Sequence, residues 1–191
     1  MPCRRSCAES ILVAKRSIEP LLNGRIRLRL LEEADLPLTL VWRNRDENRR
    51  WFFSSDVILP DQHRRWFEQY RERDDDFVFV IEETATLDRP VGQVSLYHID
   101  WTNGRAEFGR LMIGDREARG LGLARLATSR LVDEALTRWG LHEIGLECIA
   151  TNARALALYE ACGFQILGSD GLVTAMIRRQ PINRDDPGDR R

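Results

Sequence analysis

The stretch Asp115 to Leu136, DREARGLGLARLATSRLVDEAL, constrains the fold more than any other part of the chain. Gly120 and Gly122 stand directly ahead of a run in which Leu123, Leu126, Ala127, Leu131 and Ala135 recur at helical spacing from Gly122 to Trp139, and Gly140 stops it. A strand pattern, Arg105 to Ile113 (RAEFGRLMI), precedes the glycines. Strand, glycine turn and long amphipathic helix in succession require a layered α/β domain with the helix laid on a sheet. The arrangement also carries a chemical option. A helix N-terminus leaves backbone N–H groups unpaired and partly positive, so an anion is stabilised there. Glycines let those amides approach closely, and Arg116 and Arg119 add side-chain charge. The stretch has no Gly-Lys-Ser/Thr of a Walker loop, and Arg125 occupies the third-glycine place of a dinucleotide fingerprint. On these residues alone, a phosphate cradle and a plain helix-starting turn both stay open.

The flanking segments fill in the sheet. Arg25 to Leu31 alternates polar and apolar, as a half-buried strand does. Glu32 to Arg45 reads as a helix with Pro37 in its first turn and Leu36, Leu40 and Trp42 near one face. LPDQHRRWFEQYRER is a second helix, starting at Pro60-Asp61, with Trp66, Phe67 and Tyr70 on one face. Phe77 to Ile81 (FVFVI) is a buried strand. Pro90 to Ile99 and Arg105 to Ile113 form an antiparallel pair, for which Asn103-Gly104 is the hairpin signal. Beyond the long helix come a strand (Glu143 to Ala150), a short helix (Asn152 to Cys162, ended by Gly163) and two strands, Phe164 to Leu167 and Leu172 to Ile177. This order predicts one α/β domain with a mixed sheet.

Composition removes several functions. A chain of 191 residues suits one domain with a single core. Its net charge of -1 gives no field that steers it to nucleic acid or to an anionic membrane, and acidic residues interrupt every basic run. Arginine supplies nearly all the positive charge, because Lys15 is the only lysine. Cys3, Cys7, Cys148 and Cys162 are scattered without metal-ligand pairing, so no metal site is expected, and reduced thiols fit a cytoplasmic location. No apolar run is long enough to span a bilayer, and Ile11 to Ala14 falls short of a secretory core. Residues 1–24 are expected to be a loosely ordered extension, 25–180 the domain, and 181–191 a disordered tail.

ARGLGLA after the strand EFGRLMIG, with TNARALALYEACGF downstream, resembles the GCN5-related N-acetyltransferases from about Arg25 to Arg178. The resemblance implies a mostly antiparallel sheet flanked by helices, with a splayed central strand pair, and acetyl-CoA as co-substrate. It places the pantetheine arm along the strand at Leu111, Met112 and Ile113, and the pyrophosphate on the backbone of Arg119, Gly120, Leu121, Gly122, Leu123 and Ala124. Asn152 and Tyr159 are seven residues apart, about two helical turns, and so share a face. By position Asn152 is an N-cap, a role compatible with a cofactor contact. By resemblance Tyr159 is the general acid that protonates the departing thiolate of coenzyme A. One departure stands out: Glu117 fills a place that is usually Gln or Arg, and its carboxylate is expected to turn outward, to Arg116 or solvent.

An acceptor ammonium must lose a proton before it attacks a thioester, so a base is required. Glu107, on the strand that would face the cofactor, is the first candidate; Glu147, inside an apolar strand, is the second; His98 and Asp100 at the hairpin follow. Each also has an ordinary reading as a solvated or ion-paired side chain. Cys148, in an apolar strand without a basic neighbour in sequence, reads as inert core.

The N-terminal half is similar to the branch that acetylates the 4-amino group of nucleotide-linked amino sugars. Trp42-Arg43-Asn44, His63 to Trp66 (H-x-x-W) and Ile99 to Asn103 (ID-x-x-N) carry that similarity. It implies acceptor contacts from Trp42, Arg43, Asn44 and His98; packing of the first two helices is the alternative for Trp42, His63 and Trp66. The same motifs partly fit enzymes that acetylate the N-terminal amine of ribosomal proteins, and a small amine is a further acceptor class. A non-catalytic acyl-CoA-binding module would keep the cradle and lose the acid and base. A monomer or homodimer with a small-molecule or nucleotide-sugar partner is expected, without metal, nucleic acid or membrane.

Overall fold

In a computed structural model, which describes residues 15–180, eight strands are laid out as β1 (Leu21–Asn23), β2 (Ile26–Leu30), β3 (Phe77–Glu83), β4 (Arg89–Asp100), β5 (Arg105–Ile113), β6 (Glu143–Ile149), β7 (Gln165–Ser169) and β8 (Val173–Arg179). They form one sheet in the order β1-β2-β3-β4-β5-β6-β8-β7. Every neighbouring pair is antiparallel except β5 with β6, which run parallel. The helices are α1 (Leu36–Asn44), α2 (Asp46–Arg49), α3 (Pro60–Tyr70), α4 (Leu123–Arg138) and α5 (Ala153–Ala161).

Strand β3 explains the layering. All its side chains are buried, and the two-residue alternation of a strand divides them between two cores. Phe77, Phe79 and Ile81 join the large core with Leu123, Ala127, Leu131 and Ala135 of α4. Val78 and Val80 join a smaller one with Leu36 of α1 and Phe67 and Tyr70 of α3. An uninterrupted FVFVI is what a strand covered on both faces requires. The β4–β5 hairpin closes as its Asn-Gly step predicts: Gly104 takes a φ of 60°, and Asp100 accepts from the N–H groups of Thr102 and Asn103.

Strands β5 and β6 pair only where Arg105–Glu107 face Glu143–Gly145. Beyond that point β5 carries an extra residue relative to β4, between the pairs Gln93–Met112 and Ser95–Gly109. Arg110, in this bulge, has a φ of 51°, and the two central strands continue without pairing.

Two expectations need correction. The start of the chain is built into the fold from Lys15 onward, not from residue 25. Strand β1 pairs with β2, Leu21 is buried in the main core, and the Lys15 ammonium donates to the carbonyls of Tyr70 (3.0 Å) and Asp76 (2.7 Å). Three residues are too few to show alternation, so this strand left no sequence signal. The expectations for residues 1–14 and 181–191 lie outside the described residues. In addition, the stretch after α1 contains α2, a single turn that the periodicity did not reveal. Among the described residues no helix is long and apolar enough to cross a membrane.

Candidate active site

The glycine turn connects β5 to α4. Gly120 and Gly122 have φ of 81° and 76°, and a Cβ on either would meet nothing within 4 Å. Backbone conformation, not space, therefore calls for glycine at both places. Gly122 is the residue that caps α4, and the cap has no side-chain acceptor. Among the described residues, none of the backbone N–H groups from Gly120 to Ala124 has a hydrogen-bond acceptor. Five donors at the positive end of a sixteen-residue helix suit a pyrophosphate.

Charges around the turn are arranged differently from expectation. Glu117 does turn outward, but its partner is Arg89 (2.5 Å), which also binds Asp115 at 2.8 Å. Arg116 is engaged elsewhere: it and Arg119 both reach Glu47 of α2, at 3.4 and 2.7 Å. The hydrogen bond from Arg119 leads the effects that hold the Glu47 carboxyl below its usual range. Helix α2 thus lies against the cradle, a contact reinforced by Arg45, which donates to the carbonyl of Gly114.

Past the bulge, Leu111, Met112 and Ile113 form one wall of the gap between β5 and β6. Met112 and Ile113 pair with β4 on one side and have no strand partner on the other. Tyr159, on α5, packs against the large core on the α4 face of the sheet. Its ring packs edge-on against Phe108 (5.9 Å) and Phe164 (6.0 Å). Burial, with smaller effects from Cys148, Tyr97 and Cys162, raises its phenol far above the ordinary value, so the group remains protonated. Asn152 caps α5 by accepting from the Ala155 N–H at 3.2 Å.

On the opposite face, Glu107 stands across from Tyr97 in the β4–β5 ladder and beside Gly145 of β6. It is exposed, with His98 Nδ1 at 3.0 Å from its carboxylate. Glu147, also exposed, lies two residues along β6 from Gly145 on the same face. Asp100 is not in this group, because its carboxylate is occupied by the turn amides and by Asn103. Cys148 is buried, and burial raises its thiol, as suits inert core. The side chain that joins these groups, Tyr97, belongs to no sequence motif. Tyr97 lies beneath His98 (ring centroids 4.9 Å apart), over Gly109, and 4.5 Å from the Arg110 guanidinium. Its parity was visible: it is out of step with Val94 and Leu96, which face the core.

The residues nominated for the acceptor separate. Trp42 is 2% exposed and seated under Gly114, so it presents no ring surface; it is a core residue. Asn44 is also structural, since its amide bonds both the N–H (2.9 Å) and the C=O (2.8 Å) of Ile58. Trp66 belongs to a stack with His63 and Tyr70 at spacings of 5.3 and 5.2 Å, the packing alternative. Arg43 lies 4.1 Å over the Phe52 ring and donates to the Ser54 carbonyl at 2.5 Å, while its Nη1 is buried without an acceptor among the described residues. Near it, Trp51 (38% exposed) and Phe53 (63% exposed) present rings to solvent.

The family profile described as "Acetyltransferase (GNAT) domain" matches residues 25–165. The chain belongs to the GNAT acetyltransferases. It is 29% identical over 143 residues to a spermidine N(1)-acetyltransferase of Vibrio cholerae, an alignment covering 75% of this chain and 80% of the relative. It is 27% identical to a putative ribosomal N-acetyltransferase of Bacillus subtilis, across 79% of this chain and 85% of that one. A crystal structure of the Vibrio cholerae spermidine N-acetyltransferase in complex with CoA and spermine superposes with a TM-score of 0.74 at 27% identity, covering 83% of this chain and 97% of that one. A dodecameric structure of the Vibrio cholerae enzyme gives a TM-score of 0.69, over 86% and 100% of the two chains.

As a GNAT acetyltransferase the protein takes its acyl group from acetyl-CoA, which supplies an activated thioester. The unpaired amides of the glycine turn, the open edge of β5 and the half-buried Tyr159 phenol fit that co-substrate. Acetyl-CoA is therefore expected to stabilise the folded protein. At a hundred times the dissociation constant the gain is about 2.7 kcal/mol, which corresponds to roughly 5–10 °C for a domain of this size. Thermal denaturation with and without acetyl-CoA checks it, and no shift at saturation would rule out the cradle.

Proposed function

We propose that this GNAT enzyme transfers acetyl directly to the primary amine of a nucleotide-linked 4-amino sugar. The observation that carries the choice of acceptor is the segment from Arg43 to Val57. It sets Arg43, Arg45, Arg49 and Arg50 among Trp51, Phe52 and Phe53 beside the cradle. Planar guanidinium groups recognise a diphosphate by paired charge-assisted hydrogen bonds, and exposed aromatic rings stack on a base or sugar. Arg43 Nη1 is a buried donor without an acceptor among the described residues. The guanidinium groups of this segment repel a free cationic polyamine.

In this proposal Glu107, backed by His98, is the base that removes the acceptor's proton; Glu147 is the second candidate. Both are exposed, so a proton taken there passes readily to solvent. Tyr159 holds its proton on the opposite side of the gap, where the thiolate departs, and serves as the acid. Leu111 to Ile113 and the amides from Gly120 to Ala124 align the donor, with Asn152 at the start of α5 beside it; the Arg119 N–H is already given to the Arg116 carbonyl at 3.3 Å.

Polyamines are the second acceptor class, favoured by the spermidine-acetylating relatives and by the carboxylates of Glu107 and Glu147 on the acceptor face. A protein N-terminus is the third, in keeping with the ribosomal N-acetyltransferase relative. Release of CoA thiol is to be measured with a nucleoside-diphosphate-linked 4-amino sugar, spermidine and an Ala-initiated peptide. The amino sugar is expected to give a kcat/KM at least about tenfold above the other two, a difference of some 1.4 kcal/mol in transition-state binding. Preference for spermidine or the peptide reassigns the acceptor. Thermal stabilisation by acetyl-CoA without thiol release from any amine makes the protein an acyl-CoA-binding module.

A further inference from the structure

We infer that Tyr97 orients the acceptor amine, and that Asp76 and Arg110 are positioning residues that hold its ring in place. This rests on transfer to a primary amine but not on the rest of the acceptor's identity.

Three separate features of the chain converge on this one ring. Residue 109 has no side chain: a Cβ there would lie 2.9 Å from the Tyr97 hydroxyl and 3.0 Å from Cε1. Residue 110 is a non-glycine at φ 51°, a conformation that L side chains rarely adopt, in the middle of a strand. Residue 76 is an aspartate only 1% exposed, whose two oxygens receive the Arg110 guanidinium at 2.6 and 3.0 Å. A buried carboxylate needs such a partner, and a two-point ion pair fixes a guanidinium plane. The left-handed turn at Arg110 brings the guanidinium to Asp76, from where it covers the Tyr97 ring at 4.5 Å and reaches the Trp66 ring at 5.9 Å.

Core packing does not account for these features. Tyr97 is half-buried and stands on the face away from Val94, Leu96 and Phe108. Its hydroxyl has no hydrogen-bond partner among the described residues, yet Glu107 is directly across the ladder and His98 adjoins the ring. A phenol oxygen both accepts and donates, so it can take one N–H of an amine while a carboxylate takes another. That two-point hold is made to the bound amine and kept in the transition state, so its loss acts on acceptor binding and leaves the donor site unchanged.

The test uses the full chain, acetyl-CoA and the three amines named above. Tyr97→Phe keeps the ring and removes the hydroxyl. For every amine that the wild type acetylates, the variant is expected to raise the acceptor KM about tenfold, the effect of one lost charge-assisted hydrogen bond. Its kcat stays within about threefold, and the acetyl-CoA KM within about twofold. The pair Asp76→Asn with Arg110→Gly is the second variant. Glycine accepts the positive φ and asparagine leaves no buried charge unpaired, so the fold and donor site persist while the ring is released; the same rise in acceptor KM is expected. Unchanged acceptor KM in Tyr97→Phe overturns the inference, as does a loss of kcat at constant KM. A wild type that acetylates none of the amines instead removes amine transfer itself, and the role of Tyr97 with it.

Discussion

Replacing Tyr159 by phenylalanine is expected to lower kcat by about a hundredfold or more, the usual contribution of a positioned general acid. A hundredfold loss is roughly 2.7 kcal/mol of transition-state stabilisation. The geometry isolates that loss. Phenylalanine keeps the edge-on contacts with Phe108 and Phe164, so the packing of α5 on the sheet survives and melting temperature changes little. The cradle amides come from another element, so acetyl-CoA still stabilises the variant as it does the wild type. Because burial raises the Tyr159 phenol, it stays in its acid form over the whole working range of pH, which is the state a departing thiolate needs. Thiol-release kinetics alongside thermal titration with acetyl-CoA check both halves, and unchanged turnover removes Tyr159 from the mechanism.

Gly114→Ala is the second large effect, this time on the fold. A Cβ at residue 114 would lie 2.0, 2.1 and 2.5 Å from three ring carbons of Trp42. A flexible side-chain tip could move aside, but a buried indole on α1 cannot do so without displacing the helix. Overpacking of this kind costs about 3 kcal/mol, or roughly 6–12 °C in Tm for a domain of this size. The check is a cycle with Trp42→Leu. Each single change destabilises, one by collision and the other by leaving a cavity, but together they relieve one another. The double variant is expected to lie at least about 1 kcal/mol above the additive value; strict additivity would show that the contact is not the cause. Residue 114 also joins β5 to the glycine turn and is held by Arg45, so acetyl-CoA affinity is expected to fall with the single change and recover in the double.

The parts of the molecule legible in sequence are those set by local periodicity and by caps. Strand β5 runs from Arg105 to Ile113 as expected for the second half of the hairpin, and α4 begins one residue inside Gly122 and ends one before Trp139. Asn152 occupies its cap, and the Asn-Gly step makes its hairpin. What sequence could not convey is the partner of a side chain when that partner is distant. Glu117 meets Arg89 across 28 residues, Arg110 meets Asp76 across 34, and Asn44 meets Ile58 across 14. Trp42 shows the same limit from another side. An indole next to arginine and asparagine reads equally well as a binding platform or as core, and only the glycine 72 positions later, which makes room for it, decides. Tyr97 is the same case: a tyrosine on the outer face of a strand carries no motif of its own, and only the distant Asp76 and Arg110 mark it out.

Lys15 has a consequence for an enzyme of this activity. It is the single lysine of the chain, and its amine is clasped by two carbonyls beneath the Tyr70 ring, 3.3 Å from the centroid. Burial draws its ammonium down to about 8. Every other side-chain cation apart from histidine is a guanidinium, which stays protonated and is a poor acyl acceptor at neutral pH. A protein that keeps an activated acetyl group in an open groove thus surrounds it with side chains that do not compete for it. Its one side-chain amine is sheltered by the fold, so amine-directed labelling of Lys15 would report how often the start of the chain opens.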